Sequence, residues 1–370
     1  MIREQNRAKG SFLEEDVTLL LKDVSSLVEE RPTAVREKEI QHGRHYCMDL
    51  PIEKLPSEEY MKIFHQLFRE NCGRVALYTA VLTQLVLQEF SHPVFVSLVR
   101  AGTPAGVLMR RYAQRYLHRE VAHYGLSIIR GVGFDENALK DILSAHPGCT
   151  PVFVDGWTGK GMIASQLKES CEVFNKKYGT AVRPVLAVLS DPACCTDLYA
   201  TREDFVNPSS CLNSTVCGLI SRSVLNEAFI GPDDYHGVKV YEKFKNDDLT
   251  AFYLDGVTEL FEDVQAQAQR MLDALLREDR TPTFRGMSAV REIAAVFGVD
   301  DINRVKPSIG ETTRVLLRRV PDRILLQDTE SAQVAHILQL AKEKNVPVEV
   351  YRDMPYICCG LISNQKRVEL

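Results

Sequence analysis

Residues 94–111 read VFVSLVRAGTPAGVLMRR, and residues 152–163 read VFVDGWTGKGMI. Each begins as a short apolar, β-branched run, passes through a glycine-bearing turn, and continues with helical spacing. That order is buried strand, loop, helix. Gly125–Arg130 and Val185–Leu189 read as two more strands, and 104–118, 135–145 and 161–178 as helices between them. Strands alternating with helices of this length predict a doubly wound α/β fold with a mainly parallel sheet.

Outward from that core, 57–90 reads as two helices broken near Asn71–Gly73. Residues 1–50 are polar and irregular apart from Val17–Lys22, and read as an arm lying on the main domain. The pattern weakens from Asp191 to Asp234, and Ala251–Arg280 reads as one long amphipathic helix. A second, smaller α/β unit follows: helices at 288–297, 310–319 and 330–344, with strands at 323–327 and 346–351. The expected organisation is an arm (1–50), a main domain (51–235), a helical connector (236–284) and a C-terminal domain (285–370).

The 370 residues are 45% hydrophobic and 26% charged with net charge −5, which excludes a disordered chain and a wholly basic nucleic-acid coat. The longest weakly polar stretch, Val75–Leu87, is shorter than the ~18 residues of a membrane helix. With no apolar leader core at the start, a cytoplasmic protein without a membrane partner is expected. None of the ten cysteines forms a C-x-x-C pair, so no zinc ribbon and no metal site is expected, and reduced, packed thiols are.

Chemistry concentrates where strands end. Arg100-Ala101-Gly102-Thr103 joins a strand end to a helix start, where amides, a positive helix terminus and a guanidinium suit an anion. Asp155 closes the third strand, and Thr158, Gly159, Lys160 and Gly161 open the next helix as a phosphate cradle. The glycine spacing is wrong for a Walker A loop, which excludes an ATPase P-loop. Ligands of open α/β sheets sit beyond the carboxyl ends of the strands. Two phosphate-friendly loops there suit a phosphorylated sugar or nucleotide.

This order of loops resembles the type I phosphoribosyltransferases. The resemblance implies pyrophosphate at Arg100–Thr103, ribose and its 5′-phosphate at Asp155–Gly161, a flexible closing loop containing Arg130, and Mg²⁺ bound with phosphoribosyl diphosphate or a nucleotide. Gly156 stands where that family has a second acid. The pieces SFLEEDVTLLLK (11–22), IQHGRHYCMDLPIEKLPS (40–57) and SCLNSTVCGLISRSVLN (210–226) resemble a bacterial phosphoribosyltransferase-like family of tellurite-resistance and stress gene clusters, also described as the cysteine protease family StiP. KPSIGETTRVLLRRVPDRILL (306–326) and VPVEVYRDMPYICCGLIS (346–363) resemble the Pelota-type RNA-binding domain, akin to kink-turn binders. Residues 304–323 hold six cations against two acids, and Lys306, Arg314 and Arg318 are expected on one exposed face that contacts structured RNA.

A phosphoribosyltransferase is therefore the expected activity, with Asp155 and Arg100 in the reaction and a homodimer among the allowed assemblies. The alternative is a cysteine peptidase using Cys211, paired with His45 or His236; a third reading is a nucleotide sensor that regulates RNA. His45, in GRHYC, reads as a tether of the arm over the site.

Overall fold

The computed structural model describes residues 6–362. Residues 1–5 of the arm and 363–370 of the C-terminal domain lie outside the described residues.

The arm contributes β1 (Thr18–Leu19), β2 (Lys22–Asp23), β3 (Glu30–Arg31), helix α1 (Thr33–Gln41) and β4 (Leu50–Pro51). It is part of the main sheet, since β1 pairs with the strand at 123–129. Asp16 anchors it through two hydrogen bonds from buried Arg111, at 2.9 and 2.6 Å.

The core runs α2 (Glu58–Glu89), β5 (Pro93–Val99), α3 (Gly102–Leu117), β6 (His123–Ile129), β7 (Gly133–Phe134), α4 (Glu136–Ala145), β8 (Thr150–Trp157), α5 (Met162–Tyr178), β9 (Leu186–Ser190) and β10 (Leu198–Thr201). The sheet order is β1-β6-β5-β8-β9-β10, all parallel, with β7 folded back antiparallel on β6. The expected mainly parallel α/β sheet is present. β5 is buried along its whole length, which is why it reads as an unbroken apolar run.

Helix α2 is one helix of 32 residues, where two were expected. Asn71 points inward and donates to the carbonyl of Leu67 at 2.9 Å. Burial of Phe64, Leu67 and Val75 on either side outweighs the roughly 1 kcal/mol that a helical glycine costs. The long helix expected at 251–280 is instead α6 (Thr250–Thr258) and α7 (Gln265–Leu275), after β11 (Gly237–Val238), which pairs with β2. The turn between them seats Phe261 wholly inside the core.

The C-terminal unit comprises α8 (Arg285–Phe297), β12 (Val305–Pro307), α9 (Ile309–Arg318), β13 (Arg323–Leu326), α10 (Ala335–Glu343), β14 (Val348–Val350) and β15 (Cys358–Leu361). Its sheet order is β12-β15-β13-β14, in which only the β13–β14 pair is parallel. Among the described residues no helix is long and apolar enough to cross a membrane.

Candidate functional site

The chain leaves β5 for β6 on one side, then returns past β5 to β8 on the other. The crevice beyond β5 and β8 is thus the switch point where α/β sheets place ligands. Arg100 follows β5 and Asp155 lies near the end of β8, and both line one cavity of about 400 Å³ there. Gly102 fits under β8 because a Cβ there would meet the Val154 carbonyl oxygen at 2.1 Å. Burial pushes the Asp155 carboxyl up to about 7, although the Gly156 amide and the Arg314 guanidinium pull it down.

The side chains of the expected phosphate cradle are turned to other tasks. The Thr158 hydroxyl donates to Asp191, and the Lys160 ammonium donates to the carbonyls of Ile302 and Val305. Burial lowers Lys160 to about 8. The phenol of Tyr356 donates to the Gly159 carbonyl at 2.9 Å. The β8–α5 loop is therefore the dock for the C-terminal unit. Opposite it, Asp204 accepts the amides of Ile309 and Ile357, both at 3.0 Å. Arg130 does not sit in a free loop. It opens the β6–β7 hairpin, whose amides at Arg130 and Gly131 donate to the Tyr46 hydroxyl and the Gln166 side chain.

Lys306, Arg314 and Arg318 were expected on an outward RNA face, and the structure corrects this: all three line the cavity. Gly310, in the first turn of α9, packs against Trp157, which turns the basic side of α9 inward over β8. Arg314 lies 4.6 Å above the Trp157 ring. Burial lowers Lys306 to about 7. Among the described residues nine cationic side chains line this cavity against two acids, Asp155 and Glu311. No cluster of three or more metal-type ligands occurs among the described residues, and a site this cationic does not fit a protein-held Mg²⁺.

Cys211 does not have the setting of a nucleophile. It is wholly buried, burial pushes its thiol up to about 12, and no histidine contact is found for it among the described residues. The segment after it forms only a single turn, Ser214–Val216, rather than a helix that would favour a thiolate. His236 is engaged elsewhere, 2.8 Å from the Ser127 hydroxyl.

His45 does have a cysteine partner, one the sequence analysis overlooked. Its Nδ1 lies 2.9 Å from Sγ of Cys47, and its Nε2 lies 3.2 Å from the carbonyl of Arg130. A carbonyl oxygen only accepts, so Nε2 carries the proton and Nδ1 is left to accept from the thiol. The tether role expected for His45 and the thiol contact are served by opposite nitrogens of one ring. The usable signal was the H-x-C spacing within GRHYC.

The parallel α/β core thus carries a cation-lined switch-point cavity and a thiol–imidazole pair. The chain belongs to the family described as tellurite-like stress resistance cysteine protease StiP, which matches residues 10–258. Residues 284–364 match the Pelota RNA-binding domain. The chain is similar to a protein named cysteine protease StiP from Acinetobacter baylyi (strain ATCC 33305 / BD413 / ADP1), with 34% identity over 365 residues, covering 95% of this chain and 94% of the relative. These matches overturn the expected phosphoribosyltransferase activity and agree with the peptidase alternative.

Proposed function

We propose that the chain is a cysteine peptidase in which Cys47 is the nucleophile and His45 the base. The observation that carries this is the 2.9 Å contact between Nδ1 and Sγ, with the other ring nitrogen fixed by the Arg130 carbonyl. Nucleophile, base and orienting group are the three parts such catalysis needs. The thiol proton passes to Nδ1 as Sγ bonds to the scissile carbonyl carbon. His45 then returns that proton to the leaving amine as the C–N bond breaks, and water releases the acyl group.

Cys47 is buried, at 3% exposure. Burial raises its thiol above the ordinary value, against the pull of the Arg222 guanidinium. The thiol is therefore held protonated within the arm, and cleavage requires the segment around Tyr46 to lift. The strand order supports a core of the type I phosphoribosyltransferase kind put to peptidase use, with a Pelota-type unit docked on it. A cytoplasmic stress-resistance role is supported by the family description and by ten unpaired cysteines.

The test is hydrolysis of denatured casein by the full chain. Cys47→Ser should abolish it, and His45→Gln should lower it by roughly 10²–10⁴-fold, the usual share of a general base. Cys211→Ser should leave it intact. Loss of activity in Cys211→Ser alone would reverse the assignment.

A further inference from the structure

Successive carbonyls of the thiol loop, from Tyr46 to Asp49, are all held from the strip 222–226. Arg222 gives Nη2 to the carbonyls of Tyr46 and Asp49, the second at 2.9 Å. The Leu225 amide donates to the Cys47 carbonyl, and the Asn226 side-chain amide to that of Met48, both at 3.0 Å. The Arg222 guanidinium also lies 5.1 Å from the centre of the Tyr46 ring.

Arg36, in α1, donates to the same two carbonyls as Arg222, at 2.9 and 3.4 Å. The two guanidiniums differ in their counter-charge. Arg36 is paired through Nε with the Asp49 carboxylate, which Arg44 also meets at 3.3 Å. Arg222 forms no ion pair among the described residues, and its Nε is buried without a hydrogen-bond partner. Burial, reinforced by Arg36, lowers its guanidinium to about 10. A buried cation without an anion is costly, and apolar groups commonly replace buried charge with no loss of stability. Stability alone therefore does not account for Arg222.

The titratable and charged groups around the thiol loop are His45 and Asp49 of the arm, Arg36 of α1, Arg130 at 5.6 Å from the Tyr46 ring, and Arg222. Asp49 opposes a negative charge on Cys47, and Arg222 favours one. We propose that Arg222 is a positioning residue for the Cys47–His45 pair: it grips the thiol loop on both sides of Cys47 and supplies the counter-charge when the thiol becomes a thiolate. This rests on the reading of Cys47 as nucleophile. The thiol proton goes to Nδ1 of His45, and the charge left on sulfur meets a guanidinium that has no other anion.

The experiment is alkylation of the full chain by iodoacetamide between about pH 5 and 10, with the rate at Cys47 read by mass spectrometry. The midpoint of the profile reports thiolate formation, and the plateau at high pH reports access to the loop. Arg222→Gln keeps a donor for the carbonyls and loses the charge. Its midpoint should rise by about one pH unit or more, the scale of one neighbouring opposite charge. Arg222→Lys restores the charge and should return the midpoint most of the way. A purely structural residue would move the plateau and leave the midpoint, and that result in Arg222→Gln would overturn the proposal. A second reading needs no variant. Iodoacetate, an anion, should gain on iodoacetamide at Cys47 several-fold relative to the same cysteine in the urea-unfolded chain. No gain would overturn the proposal even if Arg222→Gln does not fold. Casein hydrolysis at neutral pH should fall several-fold in Arg222→Gln, because the lost thiolate outweighs the greater nucleophilicity of a more basic one. Casein hydrolysis that survives in Cys47→Ser would strike the peptidase reading, whatever the midpoint of Arg222→Gln. Hydrolysis lost in Cys47→Ser, with the midpoint of Arg222→Gln unmoved, would strike the role of Arg222 and leave the peptidase standing.

Discussion

Gly310 approaches Trp157 so closely that a Cβ on the glycine would lie 2.1 Å from Cε2 of the indole. This contact fixes the orientation of α9. The helix meets the end of β8 at its first turn, and its basic side faces Asp155 instead of solvent.

Gly310→Ala should therefore disturb the seating of the C-terminal unit. Overpacking at a site this tight costs about 1–3 kcal/mol. Urea unfolding should show that loss.

Gly73 is the opposite case. It lies inside α2, and a Cβ there would meet nothing within 4 Å. Gly73→Ala should stabilise the protein by about 0.5–1 kcal/mol, through the lower backbone entropy of the unfolded chain and better helix propensity. Equilibrium denaturation checks this directly.

Asp204 should make stability depend on pH. Burial pushes its carboxyl from 3.8 up to about 7, although the amides of Ile309 and Ile357 pull it down. A folded-state pKa above the unfolded value means that the folded state holds the proton more tightly. The stabilisation is whole below about pH 4 and is lost as pH rises through about 7. Asp155 acts in the same direction and window. Asp204→Asn removes the Asp204 contribution, so the difference in denaturation midpoint between the parent chain and the variant should fall as pH rises from about 4 to about 7. The buried neutral histidines His123 and His336 act in the opposite direction, but they are common to both chains and drop out of that difference.

The strands of the core were legible because parallel strands buried on both faces read as unbroken apolar runs, as in β5 and β8. The switch-point loops were legible for a related reason: Arg100 and Asp155 directly follow or end those runs. The short strands β10, β12 and β15 were not, since three or four residues carry too little periodicity. The break expected in α2 rested on local propensity, which burial overrode at Asn71. Lys306, Arg314 and Arg318 were read as outward because an amphipathic helix shows in sequence which residues share a face, not what that face meets. Gly310 against Trp157 and the Ile309 amide on Asp204 decide that. The peptidase reading centred on Cys211 because a helix start was expected after it. The sequence could not show that Cys211 is sealed in the core while Cys47 lies against His45.

The thiol pair itself is best tested by alkylating the full chain in steps with iodoacetamide. At each step, modification of all ten cysteines is read by mass spectrometry and casein hydrolysis is measured on the same sample. Residual activity should fall in proportion to the unmodified fraction of Cys47 and be independent of Cys211. Complete modification of Cys47 with hydrolysis undiminished would contradict the assignment of Cys47 and His45.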